Sequence, residues 1–175
     1  MQRYSAAGHG AMVADRARVE GYARAIERAV RPGDAVLEIG TGTGLFAVLA
    51  CRAGARRVYA IETDDIVEVA RANAAANGVA DRIEFFHAMS TEVELPERVA
   101  VIVSDLRGVL PLYEGHLESV IDARARFLAP GGRLVPRRDR LFLRSPRRPR
   151  GMPSSPARGP EAPSAWRCRR RASWW

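Results

Sequence analysis

A chain of 175 residues is long enough for one domain with a buried core. Its formal charge is +8, but residues 144–175 carry the whole excess and residues 1–143 are balanced, so the charge is no argument for a nucleic-acid-binding fold. Two cysteines, Cys51 and Cys168, exclude a disulfide framework or a zinc cluster, and no apolar run is long enough to span a membrane. The N-terminus lacks a signal-peptide core, so a cytoplasmic, membrane-free protein is expected. There is no lysine, a feature without a physical account.

Met1–Gly10 holds Tyr4, His9 and two glycines and is expected to form no stable helix of its own. From Ala14 to Val30, apolar residues at Ala14, Ala17, Tyr22, Ala25, Ile26 and Val30 lie mostly on one face, which predicts an amphipathic helix. Arg31-Pro32-Gly33-Asp34 stops it. Val36, Leu37 and Ile39 then read as a short buried parallel strand, followed by Gly40, Gly42 and Gly44 and a helix over Leu45–Ala53. Strand, glycine turn and helix bring a backbone close to a nucleotide-like ligand at a helix N-terminus. A second strand, Arg57–Ile61, ends on Glu62, whose carboxylate could accept hydrogen bonds from both hydroxyls of a ribose.

Asp64 and Asp65 suit the start of the next helix, which runs to about Asn77 with Gly78 at its C-cap. Arg82–His87 and the wholly apolar Val99–Ser104 are the third and fourth strands, and Glu114–Phe127 is a helix. Ala129–Gly132 is a turn, Arg133–Val135 starts a strand, and Asp139–Leu143 could pair with it. This alternation predicts a doubly wound, Rossmann-like α/β domain over 1–143 with a mostly parallel sheet. From Arg144, six prolines, nine arginines and three tryptophans replace the apolar periodicity, which reads as a disordered or irregular tail over 144–175. Arginines beside tryptophans could bind single strands, but a solvated tail accounts for them and nucleic acid is not an expected partner.

The glycine loop admits two cofactors. Gly42-x-Gly44-x-x-Ala47, with Glu62 twenty residues beyond Gly42, fits a dinucleotide fingerprint. Glu38 followed by Gly40-x-Gly42-x-Gly44 fits the S-adenosyl-L-methionine loop of class I methyltransferases, with Glu38 near the methionine end. Phe127–Val135, FLAPGGRLV, is the helix–turn–strand with which methyltransferase sheets commonly turn back, and it favours the second cofactor.

Over residues 4–143 the chain resembles the protein arginine methyltransferase family. His9-x-x-Met12-x-x-Asp15-x-x-Arg18 is similar to the family's N-terminal segment, which folds over the cofactor. The resemblance implies that His9 lies near the cofactor and that Arg18 pairs with its methionine carboxylate. Val36–Gly44 matches the glycine loop, Glu62 the ribose-binding acid, and His87–Pro96 the stretch flanking the adenine, which puts Met89, Ser90 and more weakly Thr91 beside the base. Ser104–Glu114, SDLRGVLPLYE, matches a hairpin in which two acids grip a substrate guanidinium, implying that role for Asp105 and Glu114. No metal is implied.

The chemistry explains these residue types. Methyl transfer from a sulfonium needs proximity and orientation above all. A guanidinium is a poor nucleophile whose pKa lies above about 12. Two carboxylates can hold it by charge-assisted hydrogen bonds and favour positive charge on the nitrogens that are not attacked. Departures from the family pattern bear on the acceptor. Asp105 is one methylene shorter than the usual glutamate, and Leu106 and Arg107 stand where an aromatic residue and a methionine are common. The family's second, β-barrel domain and its threonine–histidine–tryptophan loop have no counterpart after Leu143. His116 reads as an exposed helical histidine. The expectation is an S-adenosyl-L-methionine-dependent methyltransferase acting on protein arginine. The alternatives are a small-molecule or other protein acceptor, or a cofactor-binding domain without turnover.

Overall fold

A computed structural model of the chain describes residues 6–106 and 116–142. The chain divides into two units, Met1–Asp139 and Arg140–Trp175, and all the elements named below lie in the first. Among the described residues no helix is long and apolar enough to cross a membrane.

The chain begins with a helix, α1 (Ala6–Ala14), where the sequence predicted none. Gly8 and Gly10 each weaken it by about 1 kcal/mol, but Ala is the best helix former and four alanines surround them. Packing against the next helix supplies the rest. Asp15 separates the two: its carboxylate caps α2 (Arg16–Ala29) by accepting from the Arg18 N–H at 3.1 Å. The amphipathic pattern therefore starts two residues later than the periodicity alone proposed, and it turns Ile26 into the core.

Among the described residues five strands follow: β1 (Ala35–Ile39), β2 (Arg57–Glu62), β3 (Ile83–His87), β4 (Val99–Ser104) and β5 (Leu128–Val135). They pair in the order β3-β2-β1-β4-β5, and every pairing is parallel. Among the described residues the α-helices between them are α3 (Leu45–Arg52), α4 (Val67–Ala76) and α5 (His116–Arg126). Every residue of β1 is buried, Glu38 included, as expected of a central strand in a parallel sheet covered on both faces. Val36, Val58, Ala60, Val101 and Val103 point to one face, where they meet Ile26, Phe46, Val48 and Cys51. Leu37, Ile39, Tyr59, Ile61 and Ile102 point to the other, where they meet Ala123 and Phe127.

The last strand differs from its expected form. The sequence placed a turn at Ala129–Gly132 before a strand at Arg133; instead β5 begins at Leu128 and the glycines bulge within it. Val99 pairs with Leu128, and the ladder resumes only at Val101 with Arg133. The expected pairing of Asp139–Leu143 does not occur over the described part, 139–142. Arg137, Arg138, Asp139 and Arg140 are all exposed and offer no apolar alternation to pack on a sheet face. His116 also departs from expectation. It is buried, because it shares a helical face with Ala123 and Phe127.

Candidate functional site

The sheet reverses its winding between β1 and β4. From β1 the chain steps outward to β2 and β3, then returns to the other side of β1 for β4 and β5. In such sheets ligands bind at the carboxyl ends of the strands beside the reversal. The ends of β1, β2 and β4 carry Gly40–Gly44, Glu62 and Asp105.

The glycine loop is stitched to the end of β2. The N–H groups of Gly40 and Thr41 both donate to the Ile61 carbonyl, at 2.8 and 3.0 Å. Gly42, at φ +55°, donates its N–H to Glu62 Oε2 at 2.7 Å. A Cβ there would stand 3.2 Å from His9 Nδ1, so α1 lays His9 directly against the loop. Gly44 begins α3 at φ +79°, where a Cβ would lie 2.9 Å from Ala70 Cβ on α4. Both positions need glycine, for conformation and for room.

Glu62 is 7% exposed. Its Oε1 accepts from the N–H groups of Thr63 and Asp64 at 2.8 and 3.2 Å. Three backbone N–H groups thus fix the carboxylate, which can accept about four hydrogen bonds. A ribose presenting two hydroxyls would share or displace one of them, and the Gly42 bond is the one on the loop side. The Glu62 carbonyl accepts from the Ala88 N–H at 3.0 Å, which places the turn holding Met89 and Ser90 next to it. Ser90 is buried and Met89 is exposed.

Glu38 lies on β1 and is 2% exposed. Burial pushes its carboxyl pKa up to about 8, and the negative charges of Glu62 and Asp105 push in the same direction. The Thr41 hydroxyl, donating to Oε2 at 2.6 Å, partly offsets this. A cation arriving beside Glu38 would favour its ionised form.

Asp105 and Arg18 are brought together, an arrangement that the resemblance did not imply. Arg18 Nε donates to Asp105 Oδ2 at 2.5 Å, and Arg18 Nη1 donates to the Met12 carbonyl at 3.0 Å. The Tyr22 hydroxyl donates to Asp105 Oδ1 at 2.8 Å. Tyr22 stacks on Phe46 with ring centroids 4.6 Å apart, and the Arg18 guanidinium sits 5.2 Å from the Phe46 ring. The acid expected to hold a substrate guanidinium therefore holds one from its own chain. A guanidinium carries five N–H donors, so this clamp still leaves Arg18 capacity for a carboxylate.

Tyr22 and Thr41 were missed by sequence reasoning. Tyr22 reads as one more apolar residue of an amphipathic helix, and nothing local signals an acid 83 positions away. Leu106, where the family has an aromatic residue, packs its side chain over Gly40. Glu114 and Arg107 lie outside the described residues. A groove of about 330 Å³ runs between α1, α3 and α4, lined by Val13, Leu45, Leu49 and Asn73. It contains none of the expected site residues, so geometry and chemistry, not concavity, locate the site.

Comparison with known proteins agrees with this geometry. The family model described as ribosomal protein L11 methyltransferase (PrmA) matches residues 21–135. The chain is 40% identical over 137 residues to a probable protein arginine N-methyltransferase 6 of Arabidopsis thaliana, covering 77% of this chain and 32% of that protein. The crystal structure of Arabidopsis thaliana protein arginine methyltransferase 10 superposes with a TM-score of 0.71 at 35% identity, covering 75% of this chain and 38% of that one. The Trypanosoma brucei PRMT1 enzyme–prozyme heterotetrameric complex with AdoHcy gives a TM-score of 0.69 at 31% identity, covering 72% and 40%. The chain spans about a third of the length of the curated relatives it matches. Its Rossmann-like domain is similar to part of the protein arginine methyltransferases, and the chain belongs to the methyltransferase family that the PrmA model describes.

Proposed function

We propose that the chain binds S-adenosyl-L-methionine at the carboxyl ends of β1 and β2 and is the cofactor-binding part of an enzyme that methylates protein arginine. The observation that carries this reading is Glu62. It is a buried carboxylate closing β2, oriented by backbone N–H groups and bonded to Gly42 of the glycine loop. In this reading Glu62 receives the ribose hydroxyls, and Gly40, Gly42 and Gly44 let the backbone approach the ligand. His9 covers the loop from α1, Met89 and Ser90 flank the base, and Glu38 and Arg18 face the charged amino-acid end. The cofactor supplies an activated methyl group on a sulfonium. The protein supplies alignment and the acids that hold the acceptor nitrogen.

Asp105 and Glu114 are the proposed acceptor-gripping pair. Asp105 already binds a guanidinium, that of Arg18, so its surroundings suit that cation. Acceptor binding then requires Asp105 to share its oxygens with Arg18 and Tyr22. The domain is proposed to occupy 1–143, with 144–175 as an appended tail, in a cytoplasmic protein.

Two measurements test this. Calorimetric titration of the whole chain with S-adenosylmethionine, S-adenosylhomocysteine and NAD should show binding of the first two in the micromolar range; NAD binding where neither registers would overturn the cofactor. Radiolabelled methyl transfer to arginine–glycine peptides, followed by amino-acid analysis, should yield methylarginine. Label on another acceptor would overturn the arginine assignment while keeping the methyl donor.

A further inference from the structure

Arg126 is the last residue of α5, and its side chain reaches away from the helix to the turn between β3 and β4. Nη1 donates to the Val93 carbonyl at 2.8 Å and Nη2 to the Ser90 carbonyl at 2.7 Å. The guanidinium does not choose its own plane. Asp122, one helical turn back, receives Nε at 3.0 and 3.1 Å and Nη2 at 2.7 Å. The same group lies 4.2 Å from the Phe127 ring. A planar fork held on one edge by a carboxylate presents its other edge in a fixed direction.

That direction matters because of what it holds. The turn is anchored at its start by the Ala88 N–H on the Glu62 carbonyl. Arg126 anchors it again at Ser90 and Val93. Between these points sits Met89, exposed, and Ser90, whose side chain is buried. Loops without such ties move on nanosecond to microsecond timescales, too mobile to present a wall of defined shape. Nothing in the sequence marks Arg126, since a basic residue in the last turn of a helix is commonplace.

We infer that Arg126, aimed by Asp122, is a positioning residue that sets the purine-facing wall of the cofactor site and with it the preference for adenine. It acts through the Ser90–Val93 backbone and touches no ligand itself. This rests on the reading that Met89 and Ser90 flank the base. One consequence separates it from a purely structural role. Loss of the clamp should weaken discrimination at the base, whereas loss of the ribose acid Glu62 should weaken every nucleoside ligand alike.

The experiment titrates the whole chain with S-adenosylhomocysteine and with S-inosylhomocysteine, in which an oxo group replaces the purine 6-amino group. The parent should prefer the adenine ligand. Arg126→Ala should weaken S-adenosylhomocysteine roughly tenfold, because binding must then order the loosened turn, and bring the two ligands close to parity. Arg126→Lys, with a point charge in place of a fork, should fall between. Asp122→Asn keeps the guanidinium but not its orientation, and it should also narrow the preference, which guards against a misfolded alanine variant. Glu62→Ala should weaken both ligands with their ratio unchanged. A preference that survives in both Arg126→Ala and Asp122→Asn, whatever their thermal stability, overturns the positioning role alone. A parent that binds neither nucleoside, or binds both equally, overturns the assignment of the base site and this proposal with it.

Discussion

Glu38→Gln tests the electrostatics of the crevice through stability alone. The side chain is 2% exposed and its carboxyl pKa stands at about 8, mainly because burial penalises the charged form. In the unfolded chain the same group titrates near its ordinary value of 4.5. Below that value both states hold the proton and Glu38 gives no pH dependence. Between the two values the unfolded chain gives up the proton while the folded chain keeps it, so stability falls as pH rises. Above about 8 both states are ionised and the effect levels off. Each pH unit in the window is worth at most about 1.4 kcal/mol, so raising the pH from 5.5 to 7.5 should lower the parent's stability by about 2–3 kcal/mol relative to the variant. Glutamine keeps an oxygen to accept from Thr41 but cannot ionise. Titrating groups that do not couple to Glu38 are common to both proteins and cancel in the difference. Denaturant unfolding of parent and variant at half-unit pH steps measures it. Parallel stability curves, constant to within about 0.5 kcal/mol, would refute the claim that Glu38 is protonated in the fold at neutral pH.

The loop glycines should differ in cost. Gly42→Ala places a methyl against a side-chain nitrogen of His9, which can move, whereas Gly44→Ala drives one into Ala70, backbone included. With the penalty of positive φ common to both, Gly44→Ala should destabilise by about 2–4 kcal/mol and Gly42→Ala by about 1–2; equal midpoints in urea would count against the wedge at α4. Glu62→Ala removes three backbone partners as well as the proposed ribose ligand. It should weaken S-adenosylhomocysteine at least tenfold and lower stability by about 1–3 kcal/mol, read by calorimetry and by thermal unfolding; unchanged affinity would remove Glu62 from the cofactor site. Tyr22→Phe deletes a donor to a half-buried carboxylate and should cost about 1–2 kcal/mol in denaturant unfolding, with no loss meaning that Asp105 finds another partner.

What the sequence made legible was local. The β1–glycine–α3 unit, the strand ending on Glu62 and the apolar run of β4 are patterns within ten or twenty residues, and their period or punctuation carries the physics. Elements whose stability comes from elsewhere were misread. α1 carries two glycines that mask its alanines, and it is held by α2 and by Arg18 on the Met12 carbonyl. His116 looked polar and exposed, but α5 turns it under the same face as Ala123 and Phe127. In β5 the Pro-Gly-Gly signal was real, but the strand absorbed it as a bulge because Leu128 could still pair with Val99.

The site divides along the same line, and the division says which residues can be trusted as a unit. Glu38, Gly42 and Glu62 lie within 25 residues of one another, and the structure brings them into one bonded group. Asp105 follows the end of β4, and its partners Arg18 and Tyr22 come from a helix before the first strand. The second group is assembled only when α2 docks on the sheet through Ile26 and the Tyr22–Phe46 stack. The glycine-loop and Glu62 group should therefore tolerate loss of Tyr22 from α2, which the Asp105 group does not. Truncating Tyr22 should loosen Asp105 while leaving the Gly42–Glu62 bond in place. A Tyr22 truncation that abolished nucleoside binding while leaving the fold intact would mean that the two groups are one.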